Sequence, residues 1–171
     1  KIDAFQFSSD DLHDPFRFLQ YLFQNEFSSG SGDAIDSHVR KTLKAFMTDA
    51  ILVPHPRLPD TYNLTSEGFR KLKCFAGFMA PFLESYWIVL TYFQETDKPP
   101  EDGAVRLKQI QQLGGKCFKR QEVVRKEALS KINYLNAVDF YLKSGIKKSD
   151  NAAALKETIE TLRGCMKHLP L

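Results

Sequence analysis

His55 and Asp60 stand five positions apart in the run His55-Pro56-Arg57-Leu58-Pro59-Asp60. An imidazole followed at this spacing by a carboxylate can serve as a general base on a hydroxyl, with the acid holding the ring in place. The surroundings argue against that chemistry. Two prolines lie inside the motif, and the flanking Ile51-Leu52-Val53 and Tyr62-Asn63-Leu64 read as the arms of a hairpin, which makes the motif its turn. A turn supplies neither a rigid helix start nor a buried acid partner, and with four histidines in the chain such a match arises readily by chance. The sequence predicts a solvated turn at His55 and no catalytic residue.

Cations offer a second kind of chemistry. His38, Arg40, Lys41 and Lys44 can lie on one helix face and grip phosphates, as a DNA-recognition helix does. Asp33, Asp36 and Asp49 dilute that field, and the turn adds only Arg57. The tract from Lys116 to Lys131, with Lys119, Arg120, Arg125 and Lys126, can face anionic lipid headgroups, but Glu122 and Glu127 interrupt it. It reads more simply as a helix surface laced with salt bridges. Cys74, Cys117 and Cys165 are odd in number and share no short spacing, so each is expected to be a small buried hydrophobe in a reducing compartment. No glycine-rich phosphate loop, nucleophile elbow, metal-spaced ligand set or carboxylate pair is present, and neither metal nor cofactor is expected.

The elements that carry these residues are mostly helical. With 43% hydrophobic residues in 171, including fourteen Phe and six Tyr, the chain can bury an aromatic-rich core, and a charge of +3 is too small to imply nucleic acid. Lys1 to Phe7 lacks the order of a signal peptide, and the start without Met is expected to mean a piece of a longer protein. Pro15 fits a first helical turn ahead of Phe16, Leu19, Leu22, Phe23 and Phe27. Ser28 to Gly32 ends that helix. Asp33 can cap a second one with Ile35, Val39, Leu43, Phe46 and Met47 on its apolar face.

After the hairpin, Thr65-Ser66-Glu67 opens a long helix to about Gln94, which Pro81 is expected to kink. From Cys74 to Phe93 its only formal charge is Glu84, so the length approaches that of a membrane span, yet Gly77, Pro81, Ser85 and Thr91 favour a buried or interfacial helix. Its apolar residues occupy nearly the whole circumference, more than the chain is expected to bury. Thr96 to Gly103 reads as a linker. Beyond it, Val105 to Leu113, Gln121 to Leu129 and Ala152 to Leu169 read as helices. Laying Gly145-Ile146 on Ala50-Ile51 keeps Tyr134, Val138, Tyr141, Leu142 and Ile146 apolar, which suggests a duplication. The expected fold is mainly α with short β-hairpins. It comprises two winged-helix-like halves, residues 1–98 and 99–171, around a long kinked central helix.

Three phrases carry a family likeness: Phe18-Leu19-Gln20-Tyr21-Leu22-Phe23-Gln24-Asn25-Glu26-Phe27; Tyr62-Asn63-Leu64-Thr65-Ser66-Glu67-Gly68 with Phe82-Leu83-Glu84-Ser85-Tyr86-Trp87; and Ala128-Leu129-Ser130-Lys131 with Asn136-Ala137. In this order they resemble the region after the catalytic domain in bacterial membrane-associated glycerol-3-phosphate acyltransferases and their dihydroxyacetone-phosphate relatives. The resemblance implies acyl transfer from a thioester to the 1-hydroxyl of glycerol 3-phosphate, an early step of phospholipid biosynthesis, with the chemistry upstream of this segment. No catalytic residue carries over. The implied partner is an upstream acyltransferase domain of the same protein, with the membrane surface and a second copy of the chain as further partners. The implied location is the cytoplasm or the cytoplasmic face of the inner membrane. The alternative reading is a winged-helix DNA-binding regulator, disfavoured by the sparse cations.

Overall fold

The computed structural model describes residues 5–27, 35–167 and 169. Among them the elements run β1 (Gln6–Ser8), α1 (His13–Leu22), α2 (Ile35–Thr48), β2 (Leu52–Pro54), β3 (Thr61–Leu64), α3 (Ser66–Glu95), α4 (Gly103–Lys119), α5 (Lys131–Lys143) and α6 (Lys148–Lys167), with 3-10 turns at Asp10–Leu12 and Lys126–Leu129. The fold is mainly helical with one small antiparallel sheet. The chain forms two compact units, Lys1–Phe75 and Ala76–Leu171, and α3 contributes to both.

In the first unit, β3 lies between β1 and β2 and runs antiparallel to each. The expected hairpin forms, with Leu52 opposite Leu64, Val53 opposite Asn63 and Pro54 opposite Tyr62. The third strand, β1, was not expected, because three residues in a polar lead carry no readable alternation; Phe7 pairs with Tyr62, and their rings lie 6.1 Å apart. Pro15 sits in the first turn of α1 as expected, while Phe27 lies beyond its end. The run 28–32 and the cap at Asp33 lie outside the described residues. Val39 and Leu43 of α2 form the buried core with Ile51 and Leu52, and Ile35, Phe46 and Met47 pack against it.

Two local devices fix how α2 passes into β2 and how β3 passes into α3. Ile51 N–H donates to Phe46 C=O at 2.8 Å and Ala50 N–H to Met47 C=O at 3.1 Å, the pair of bonds that closes a helix through a left-handed residue. That residue is Ala50, at φ 54. Thr65 then starts α3: its hydroxyl accepts from Gly68 N–H at 2.8 Å and donates to Ala50 C=O at 2.8 Å. A side chain at position 68 would overlap the Ile51 carbonyl, so this contact requires glycine.

In the second unit, α3 continues through Pro81 as one helical run. Pro81 cannot donate to Gly77 C=O, and the Ser85 hydroxyl lies 2.6 Å from Pro81 C=O and 2.8 Å from Ala128 C=O. By length and composition α3 could cross a membrane, but half of its most apolar window is buried within the protein. The surplus apolar surface expected around Trp87 is largely absent. Tyr86, Trp87, Ile88, Val89, Leu90 and Phe93 are all buried, because three other helices cover α3. Tyr92 hydroxyl donates to Gln109 Oε1 of α4 at 2.6 Å, Phe93 stacks on Tyr141 of α5 at 3.8 Å, and Arg163 of α6 lies over the Trp87 ring at 6.0 Å. Of Phe78, Phe82, Trp87 and Phe93, only Phe78 stands open, at 70% exposure, and Phe82 is half-buried.

The second winged-helix-like half does not form. Tyr134, Val138, Tyr141 and Ile146 are buried as the duplication requires, but Leu142 is exposed and the described residues of 99–171 hold no strand. After Ile146 the chain has no alternating apolar residues to make one; Lys148 N–H bonds the Tyr141 hydroxyl at 3.0 Å and α6 begins. Asn151 interrupts α6 and caps its longer part by accepting from Ala154 N–H at 3.0 Å, which accounts for the expected start at Ala152. Of the expected helix at Gln121 to Leu129 only the 3-10 turn at Lys126–Leu129 forms. Instead α4, capped by Asp102, runs past Gly114-Gly115 to Lys119, and Gln121 at φ 60 ends it. Gln121 N–H donates to Phe118 C=O at 3.1 Å and Glu122 N–H to Cys117 C=O at 3.0 Å, repeating the closure seen at Ala50.

Candidate functional site

The hairpin turn places His55 and Asp60 in separate roles. His55 Nδ1 accepts the N–H groups of Arg57 at 3.1 Å and Leu58 at 3.0 Å, so the neutral ring carries its proton on Nε2 and caps its own turn. Asp60 accepts the hydroxyls of Ser9 and, at 3.1 Å, Tyr62. The Ser9 bond is the larger cause that holds the Asp60 carboxyl below its usual range. No hydrogen bond joins His55 to Asp60. The acid ties the end of β1 to the hairpin, and the base–acid link that general-base chemistry needs is not assembled.

On α2, Arg40 Nε reaches both carboxylate oxygens of Asp36, at 2.9 and 3.0 Å, and this hydrogen bond raises the guanidinium pKa further. His38 lies tilted against the Phe16 ring at 6.2 Å. A cation committed to the acid one turn earlier on its own helix is a poor phosphate grip.

The connection between α4 and α5 has the most organised polar structure. Glu84, only 3% exposed, accepts the N–H groups of Val124 and Arg125, each at 3.1 Å. Burial pushes its carboxyl pKa up, and the two N–H bonds oppose that shift. Ser85 beside it bonds Ala128 C=O, while Val123 and Ala128 are buried. The connection is therefore fastened from beneath. Lys116, Lys119, Arg120, Lys126 and Lys131 are exposed, and no salt bridge engages any of the five. The salt-bridge lacing expected of this tract is therefore missing at these five, while the Arg125 charge acts on Glu84.

Among the cysteines the expectation holds for Cys117, which is buried, and fails for Cys74, which is exposed; Cys165 is half-buried and all three are free thiols. Burial, then the Glu122 side chain, pushes the Cys117 thiol up to about 12, so it is not a nucleophile at neutral pH. The described residues hold no cluster of side chains suited to a metal. A cavity of about 340 Å³ in the first unit is lined by Phe7, Leu12, Phe16, Leu43, Phe46 and Leu72. A polar one of about 250 Å³ in the second unit is lined by residues that include Trp87, Thr91, Arg120 and Arg163.

Among the described residues His55 and Asp60 are not hydrogen-bonded to each other and no metal-suited cluster forms. The family described as the glycerol-3-phosphate acyltransferase C-terminal region matches residues 2–150, and the chain belongs to it. At the level of the family this connects the chain to acyl transfer and phospholipid biosynthesis. A comparison with curated proteins gives no match.

Proposed function

We propose that this chain is the non-catalytic accessory domain of a glycerol-3-phosphate 1-O-acyltransferase, with the acyl-thioester chemistry carried out by an upstream domain of the same protein. The family match over residues 2–150 is the observation that carries this reading. Two features of the chain support it: His55 and Asp60 are each engaged in building the hairpin, and the buried thiol is held protonated. The role left is to pack against the catalytic domain. The first unit carries a winged-helix-like order of β1, α1, α2, β2 and β3 with the sheet arranged β1-β3-β2.

Expressing the acyltransferase domain with and without this chain tests the reading. The two should co-purify, and acylation of glycerol 3-phosphate should need both in one preparation, whereas thioester turnover by the 171-residue chain alone that vanishes in His55→Ala would overturn it. The alternative, a DNA-binding winged helix, calls for duplex binding at low salt that is lost when Arg40, Lys41 and Lys44 are neutralised. The bond from Arg40 to Asp36 and the single Arg57 in the turn weigh against it.

A further inference from the structure

We propose that the polar cavity of about 250 Å³ in the second unit binds a small zwitterion, a free α-amino acid with a short apolar side chain. Its walls come from α3, from α4 with the residues just after it, and from α6. Trp87 and Thr91 stand one turn apart on α3, and both line the cavity. Trp87 is only 6% exposed, yet neither its Nε1 nor the Thr91 hydroxyl has a hydrogen-bond partner among the described residues. A buried indole N–H without an acceptor is uncommon, because nothing offsets its loss of water. A polar occupant of the cavity supplies the missing partner.

The charges around the cavity select the occupant. Arg120 and Arg163 line it, and so do Glu95 and Glu122, but no salt bridge commits any of the four to another. They lie in one small region: the Cys117 thiol, also on the wall, hydrogen-bonds Glu122 and feels the charges of Glu95 and Arg120. A bare anion meets the two acids and a bare cation the two guanidinium groups, whereas a molecule carrying both charges gains from both sets. A carboxylate suits the planar fork of an arginine, and an ammonium suits the acids. Arg163 lies over the Trp87 ring at 6.0 Å, and its shift onto the bound carboxylate uncovers the indole edge as a further donor. Leu113 and Ile159 give the wall an apolar part for a short side chain. At about 30 Å³ for each water-sized group the cavity holds roughly eight non-hydrogen atoms, the size of valine. The site is independent of the accessory-domain role, and its test involves no acyl transfer.

Trp87 is the single tryptophan of the chain, so one indole N–H resonance reports on this cavity alone. Titration of the 171-residue chain with L-valine, followed by NMR, is the test, helical circular dichroism being checked for each variant. The indole resonance should shift and saturate with a Kd of about 1 mM or tighter. Isovalerate, which lacks the ammonium, and isobutylamine, which lacks the carboxylate, should each bind about tenfold more weakly or worse. Arg120→Gln with Arg163→Gln should weaken L-valine by about tenfold or more while isobutylamine binds at least as well as to the parent. Glu95→Gln with Glu122→Gln should weaken L-valine likewise yet tighten isovalerate, a reversal that a loss of packing does not produce. A resonance that stays in place up to about 10 mM L-valine means a cavity that holds water alone, and overturns the proposal. Equal binding of the three probes, or inorganic phosphate binding more tightly than L-valine, would overturn it too.

Discussion

Glu84 is the single formal charge between Cys74 and Phe93, and in sequence it reads only as an interruption of an apolar run. Its function emerges from residues some forty positions away, Val124 and Arg125, whose N–H groups it accepts, so no local pattern could reveal it. Burial is the largest influence on its carboxyl and raises the folded-state pKa above the ordinary 4.5. Folding therefore takes up a proton in that range. The contribution of this group to stability is complete below the unfolded value and is lost as pH rises through the raised folded value. Urea unfolding of the parent chain and Glu84→Gln from about pH 4 to about pH 7 isolates this contribution, since the other groups are common to both. The stability of the parent relative to the variant is expected to fall as pH rises. A relative stability that climbed instead would mean that the two N–H bonds outweigh burial.

The helices show where local pattern was sufficient and where it failed. The cores of α1, α2, α3, α4 and α6 were legible from helical periodicity, α5 only by laying its apolar residues on those of α2, and the Thr65 start of α3 from a polar residue ahead of that pattern. The ends of α2 and α4 were not, because glycine is the readable signal for a left-handed closing residue and these ends use Ala50 and Gln121. Gly114-Gly115, the glycines that do stand in α4, serve packing at Gly114, where a side chain would overlap the Tyr134 hydroxyl. The left-handed conformation costs an L-residue roughly 1–2 kcal/mol, part of which glycine returns as unfolded-state entropy. Gln121→Gly is thus expected to raise stability by about 0.5–1 kcal/mol, visible as a higher denaturation midpoint at unchanged m-value. Gly68→Ala should act in the opposite direction, by about 1–3 kcal/mol, since the Ile51 carbonyl it meets belongs to the backbone and cannot swing aside. An unchanged midpoint in Gly68→Ala would show that α3 does not start in close contact with Ile51.

For the whole chain, the circumferential apolar pattern of α3 signalled a helix buried on many sides but could not name what buries it. The cover comes from α4, α5 and α6, through contacts such as Phe93 on Tyr141 that span some fifty residues of sequence. What this leaves open is narrower than the pattern suggested: Phe75 and Phe78 are exposed and Phe82 is half-buried, and their spacing of three and four puts them on one stripe of the helix. Removing a few hundred Å² of such surface from water at about 25 cal/mol per Å² gives several kcal/mol before association costs, enough to draw two chains together at high concentration. Light scattering over a concentration series should show the apparent mass of the parent chain rising, while Phe75→Ser with Phe78→Ser stays monomeric across the same range. Because both side chains already face solvent, that variant should keep the parent's unfolding midpoint to within about 0.5 kcal/mol. A parent chain that remains monomeric throughout would show that this stripe is too small to drive pairing.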